Sequence, residues 1–374
     1  MRREGRCNAE SRWLPPDARR GRGARSNASG RFEREVRLDT DDGWERADDA
    51  AAPLRTTVTV EHPRRVIARN SSPDVPFDRS INPYRGCEHG CIYCYARPTH
   101  AYLGLSPGLD FETRLFAKPD APARLAAELA RPGYRCRPIA LGTNTDPYQP
   151  IERDWKIMRG ILEVLEAAGH PLTIVTKSHL VTRDIDILAR MAARRLATVT
   201  LSVTTLDAHL ARRLEPRAST PRRRLAAIRA LDHAGVPTGV MLAPVIPALN
   251  DHEIESILEA ARAAGARTAS WTMLRLPLEI RELFAEWLAE ERPERARRIL
   301  GLIATMRGGR LNDPRFGARM RGTGPYAELI AQRFRLASKR LGFNALSPQL
   351  DCRGFRPPQP KTAQGDLFAC RGPD

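Results

Sequence analysis

The sequence predicts an α/β protein centred on a parallel sheet covered by helices. Three observations carry this reading: short, near-continuous apolar strands, amphipathic helices that close at glycines, and a regular alternation of the two over residues 139–274. Residues 1–60 come first, rich in Arg, Gly, Asp and Ala without a sustained apolar period, and predict a mostly disordered, Arg-rich arm. A strand-like TTVTVE at 56–61 marks where order begins, and Val66 and Ile67 are expected to dock on the core. A strand at 81–85 then precedes a cysteine cluster. IALGT at 139–143 reads as a buried strand running into a loop marked by Asn144, Asp146 and Pro147. A helix over 154–168 closes at Gly169, as a C-terminal capping glycine would.

The alternation then repeats: LTIVT at 172–176, a helix over 184–194, ATVTLSV at 197–203, and a helix over 221–234 stopped by Gly235. GVMLAPVI at 239–246, a helix over 251–264 stopped by Gly265, and a strand at 268–274 complete the series. Such units have right-handed crossovers. Six strands fit either an open barrel or a doubly wound sheet, and both gather ligands at the C-terminal strand ends. At those ends stand Asn144, Asp146, Lys177, Ser202 and Thr204. Beyond Pro277 the pattern is helical (279–290, 294–306 and 326–341), with a Gly- and Arg-rich loop at 306–322 and a Pro-rich tail after Gly342.

Composition narrows the class. The 374 residues are 42% hydrophobic and 28% charged, and no run approaches the roughly 20 apolar residues of a membrane span. The N-terminus lacks the apolar stretch of a secretory signal, so a cytoplasmic location is expected. Seven cysteines, three of them within eight residues, point to a metal site rather than to disulfides. A net charge of +17 and a pI near 10.3 favour a polyanionic partner such as DNA or RNA, although an Arg-rich composition alone gives the same charge.

The chemistry is carried by Asn82-Pro-Tyr-Arg-Gly-Cys87-Glu-His-Gly-Cys91-Ile-Tyr-Cys94-Tyr95. Thiolates at these spacings on one loop can converge on an iron–sulfur cube and leave one iron without a protein ligand. Gly86 and Gly90 allow the tight, positive-φ turns this needs. The competing reading is structural zinc, with His89 or His100 completing a Cys₃His tetrahedron, although zinc ligands usually come as two separated pairs.

The Cys-x₃-Cys-x₂-Cys loop, with aromatic Tyr93 before its last cysteine, resembles the signature of the radical S-adenosylmethionine (SAM) superfamily. Together with GTNTDPYQPIE at 142–152, TKS at 176–178, SVTT at 202–205 and LEPRASTPRRRL at 214–225, it resembles the spore photoproduct lyase-like branch over residues 64–344. The resemblance implies a partial (β/α)₆ TIM-type barrel over 64–277 with a helical C-terminal extension over 278–344 and a flexible tail over 345–374. It implies a [4Fe–4S] cluster on Cys87, Cys91 and Cys94, whose open iron is chelated by the amino and carboxylate groups of SAM. One electron from a reductant such as flavodoxin or ferredoxin then cleaves the sulfonium, yielding methionine and a 5′-deoxyadenosyl radical that abstracts a substrate hydrogen.

Residue by residue, the resemblance places the backbone at Tyr93 against the adenine, Asn144 at the methionine amino group, Lys177 at the carboxylate, Ser202 at the ribose and Arg217 near an anionic group. Arg224, like Arg217, could steady an anionic group, but Arg222, Arg223 and Arg224 form a charge run that reads as the wet face of a helix; Met241 and Met273 read as core. The photoproduct lyases use a further cysteine as hydrogen donor, and none here aligns with it; Cys136 precedes the second strand on the far side, and Cys352 and Cys370 lie in the tail. In that tail Gln364-Gly-Asp-Leu367-Phe368 resembles short peptides that dock on the bacterial replication clamp. The loop at 306–322, with five arginines interleaved with Phe316, suits a phosphate backbone, or else forms a solvated lid.

The expected function is therefore radical SAM chemistry, lyase-like, on nucleic acid, as in DNA repair or base modification. The alternatives are the same chemistry on a small molecule or protein, and a non-catalytic zinc-dependent nucleic-acid binder.

Overall fold

The computed structural model describes residues 19–33, 54–346 and 348–359. Its centre is a seven-stranded sheet. The strands are named in chain order: β1 (Thr57–Val60), β2 (Ile67–Arg69), β3 (Arg79–Ile81), β4 (Tyr84–Arg85), β5 (Arg114–Ala117), β6 (Ile139–Leu141), β7 (Leu172–Thr176), β8 (Ala197–Ser202), β9 (Thr238–Val245) and β10 (Thr268–Met273). The order β10-β9-β8-β7-β6-β3-β2 makes six neighbouring strands parallel and adds β2 antiparallel at one edge. This is the predicted α/β architecture, a partial barrel whose β2 and β10 edges do not pair with each other.

Apolar residues on both faces explain the near-continuous pattern: Ile139, Leu141, Leu172, Ile174, Val199 and Leu201 are all buried. Helices Ile157–Ala167, Ile185–Ala193, Pro221–His233 and Ile254–Ala263 close the outside of the sheet. Thr220 caps the third of these through its hydroxyl, with Pro221 following at the first turn, where a missing N–H costs nothing. Helices Ile280–Glu291, Pro293–Thr305 and Pro325–Arg340 form the C-terminal extension. A latch spans the open side of the barrel: Asp74, beyond β2, accepts the Gly317 amide at 2.7 Å and pairs with Arg319 from the loop beyond β10.

The first barrel strand ends earlier than expected. Only Arg79–Ile81 joins the main sheet, and Tyr84–Arg85 turns away to pair with β5, which pairs in turn with β1. Helix Ala121–Leu129 and this small sheet fill the crossover between β3 and β6.

The expected disordered arm is narrowed by two docked pieces, 19–33 and 54–60; residues 1–18 and 34–53 lie outside the described residues. The physical reason is a set of glycine contacts and one buried carboxylate. Glu112 accepts the amides of Gly23 and Ala24, each at 2.8 Å. A Cβ on Gly23 would lie 1.8 Å from the Gly90 carbonyl oxygen, so only glycine allows the segment to sit this close to the cysteine loop. Part of the expected flexible tail is docked as well: Asp351 donates to Arg195 O, Arg356 donates to Ala168 O, and Phe355 packs on Tyr134 and His170. The Gln364–Phe368 peptide and Cys370 lie outside the described residues.

Candidate active site

The C-terminal ends of the six parallel strands and the loop after β3 enclose one cavity of about 180 Å³. Cys87, Cys91 and Cys94 form one wall, with Asn144, Lys177 and Ser202 across from them. All three cysteines are free. The loop reaches its shape through Gly86 and Gly90, at φ of 73° and 67°, and through Cys87 N donating to Phe111 O. The sequence expectation for both glycines is thereby met.

Behind this wall lies a fully buried ion pair. Arg97 and Glu112, each 0% exposed, are 2.5 Å apart. Arg97 also donates to the carbonyls of Cys91 (2.9 Å), Gly90 (3.1 Å) and Gly108 (2.9 Å). One guanidinium thus ties two carbonyls of the cysteine loop to the carboxylate that holds Gly23 and Ala24. Neither Arg97 nor Glu112 was singled out from sequence, because nothing local marks a pair separated by fifteen residues as buried.

On the opposite flank, the Tyr93 hydroxyl donates to Glu215, which is ion-paired with Arg224 and accepts Thr204 Oγ1 at 2.6 Å. Burial pushes the Glu215 carboxyl up, but Arg224 and Lys177 outweigh it and bring it down to about 2. Arg224 is 1% exposed and donates to Ser202 O at 2.8 Å and Ser219 O at 2.7 Å. It is therefore corrected from solvated face to buried strut; its neighbours Arg222 and Arg223 are exposed, as expected of a charge run.

Lys177 Nζ lies 2.8 Å from Ser202 Oγ, 3.2 Å from Ala243 O and 5.7 Å from the centre of the Tyr93 ring, with its charge on the cavity. Asp146 aims that lysine's backbone: its carboxylate accepts the Lys177 amide and Thr176 Oγ1, both at 2.7 Å, and lies 3.4 Å from His89 Nδ1. Burial raises this acid, but His89 and these hydrogen bonds bring it down to about 2. From sequence Asp146 was legible as a turn residue at a strand end, without this positioning role.

Two expectations are corrected. Arg217 does not line the cavity; its guanidinium is 3.1 Å from Glu88 on the outer face of the cysteine loop, because its amide is tied to His89 O and turns the side chain outward. Met241, read as core, is only half-buried and lines the cavity from the middle of its strand, whereas Met273 is buried in the core as expected and also borders the cavity. Cys136 and Cys352 are absent from the lining, which leaves the triad as the only cysteines at the cavity among the described residues.

The donor set fits an iron–sulfur cluster. Burial pushes all three thiols up, and the charges of their neighbours add to this at Cys87, so a cationic centre is what would hold them as thiolates. The histidines of the zinc reading are engaged elsewhere, His89 with Asp146 and His100 Nε2 with Arg114 O at 2.9 Å. Among the described residues, no three His, Cys, Asp or Glu groups are set to hold one ion. A cube differs from single zinc in that each thiolate meets a different iron.

Residues 81–261 match the radical SAM superfamily pattern. An uncharacterized protein of Mycobacterium tuberculosis is 43% identical over 222 residues, spanning 59% of this chain and 65% of that protein. An uncharacterized protein of Methanocaldococcus jannaschii is 29% identical over 173 residues, 46% of this chain and 62% of that protein. The chain thus spans slightly less than two thirds of the length of these relatives. In structure it is similar to spore photoproduct lyase complexed with dinucleoside spore photoproduct, at a TM-score of 0.56 and 17% identity over 76% of this chain and 80% of the other. A mutant of the same lyase with bound AdoMet and dinucleoside spore photoproduct gives a TM-score of 0.56 at 16% identity over the same shares. These likenesses describe a shared fold.

Proposed function

Because residues 81–261 match the radical SAM superfamily, whose cofactors are a [4Fe–4S] cluster and SAM, we propose that the chain cleaves SAM reductively and directs the 5′-deoxyadenosyl radical at nucleic acid. The observation that carries this is the single cavity on which three free thiols, Asn144, Lys177 and Ser202 converge. Cys87, Cys91 and Cys94 hold the cluster, which supplies the electron and the open iron site when bound. Lys177, positioned through Asp146 and Ser202, offers a cation for a carboxylate, and Asn144 offers an amide beside it. The backbone at Tyr93, fixed by Glu215 and Thr204, presents a flat edge suited to adenine. The apolar lining from Val175, Met241 and Leu274 excludes water from a reactive carbon radical.

Support for nucleic acid is the net charge of +17 and the cavity's outer rim, where Arg275 lies 5.1 Å over the Tyr95 ring. The dinucleoside spore photoproduct bound by the structurally similar lyase is in keeping with a nucleic-acid substrate and with a lyase or repair reaction. A reductant such as flavodoxin or ferredoxin would supply the electron.

The test is anaerobic turnover with dithionite against damaged and undamaged DNA and RNA, following 5′-deoxyadenosine and mass changes in the polymer. Formation of 5′-deoxyadenosine coupled to a mass change in one polymer is expected. Cofactor cleavage indifferent to every nucleic acid would move the substrate to a small molecule or protein. Protein purified anaerobically with zinc, and without iron or acid-labile sulfide, would overturn the reading.

A further inference from the structure

The cofactor cavity is not the roomiest concave surface among the described residues. Two basins of about 640 and 670 Å³ meet along Arg20, Gly21 and Arg22, on the far side of the cysteine loop. Their walls are the docked segment 19–25, residues 54–56, and the stretch 208–224 that follows β8. Among the described residues nine arginines line the pair, against three carboxylates, Glu88, Glu215 and Glu290. The excess is strongly positive, and it is carried entirely by guanidinium groups, whose planar forks match phosphate oxygens two at a time.

These arginines are of two kinds. Arg19 and Arg25 are held by Glu290, Arg213 by Glu291 and Arg217 by Glu88, so their positions are set before any ligand arrives. Arg20, Arg55 and Arg212 are exposed, and their side chains make no ion pair or hydrogen bond among the described residues. Arg22 lies between the groups, donating to Glu112 O and Leu54 O; burial and the neighbouring Arg217 charge both push its pKa down. An anion in the groove relieves that crowding.

We propose that this groove holds the phosphodiester backbone of a single nucleic-acid strand, independently of base sequence. Two contiguous basins suit a chain of phosphates better than one isolated phosphate. Among the described residues no aromatic side chain lines either basin, so these walls offer bases no platform to stack on and their contacts fall on the backbone. The groove backs onto the cysteine loop through Glu88 and Arg217, which joins the grip on the strand to the element that holds the cluster. This deepens the nucleic-acid reading given above and rests on it for the identity of the polymer.

The experiment is fluorescence anisotropy of labelled single-stranded DNA and RNA of one sequence with the anaerobic holoenzyme, across a salt series. The variant R20A/R55A/R212A is compared with R153A/R229A/R335A, which loses the same charge from exposed positions away from the groove. With three phosphate contacts gone, the groove variant is expected to bind at least about tenfold more weakly, with a log–log salt slope shallower by about 2. The control is expected to stay near the parent, and both variants should keep the parent's melting temperature and its cleavage of SAM without substrate. Loss with DNA, RNA or both supports the groove and identifies the polymer. Parental affinity and slope in the groove variant, or an equal loss in the control, overturns the groove and leaves the nucleic-acid reading standing on other surfaces. Failure of the parent to bind either strand at low salt overturns both.

Discussion

At the C-terminal ends of the parallel strands, three thiols, Lys177 and Asp146 line open space, with Glu215 buried against Tyr93; at the opposite end His170, Tyr134 and Phe355 close on one another beneath residues 348–359. Both ends bury polar groups, but with different outcomes. At the upper end the buried groups are charged, their pKa values are pulled far apart from ordinary ones, and several face a void. At the lower end Tyr134 Oη and His170 Nε2 are 2.8 Å apart, His170 Nδ1 meets Pro171 O at 2.9 Å, and the Phe355 ring packs on both side chains. Burial leaves His170 neutral there, with its pKa lowered to about 4. Polar burial that satisfies itself stabilises the fold; polar burial that leaves donors aimed at empty space makes a binding site.

The comparison can be broken most severely at the upper end. Cys91→Ala should abolish both the visible iron–sulfur absorption and 5′-deoxyadenosine formation, with little change in far-UV circular dichroism. Retention of a full cluster would end the three-thiol assignment. Next in size, Arg97→Gln strands Glu112 and should cost about 3–5 kcal/mol in chemical unfolding, with weaker iron retention on anaerobic gel filtration. A stable, fully loaded variant would show that the brace behind the cysteine loop is dispensable. Lys177→Met should weaken SAM binding about 10- to 100-fold by calorimetry, the worth of a charge-assisted bond, and leave iron content unchanged.

The lower end is expected to respond to pH instead. The folded-state pKa of His170 lies below its unfolded value near 6.5, so its contribution is complete above about 6.5 and is lost as pH falls towards 4. His170→Phe should flatten the loss of melting temperature across that window, a term of at most about 3 kcal/mol. Asp146 and Glu215 follow the same sign in a lower window, losing their contribution as pH falls from about 4 towards 2. The smallest effect is reserved for Tyr134→Phe, which removes one hydrogen bond worth about 1 kcal/mol and should leave SAM cleavage untouched.

Much of the site was legible because it is local or periodic. The cysteine triad lies within eight residues, and strand ends can be counted from apolar runs, so Asn144, Lys177 and Ser202 were placed on one rim before any geometry. Arg217 failed because its neighbourhood depends on which way one loop amide turns, towards His89 O. Arg224 failed because the members of a run of three arginines look alike in sequence, while only the last of them faces the barrel. The small sheet of β1, β5 and β4 escaped notice because its strands are short and its pairings span dozens of residues.

By itself the sequence determined the parallel α/β architecture and the candidate cysteine loop, since hydrophobic periodicity and cysteine spacing are written into consecutive residues. Only the tertiary structure decided what braces the ligand loop and where free positive charge collects. The Arg97–Glu112 pair, the docking of Gly23 against Gly90, and the arginine groove each join segments far apart in the chain. Their energies arise from burial and from uncompensated charge, which exist only once those segments meet.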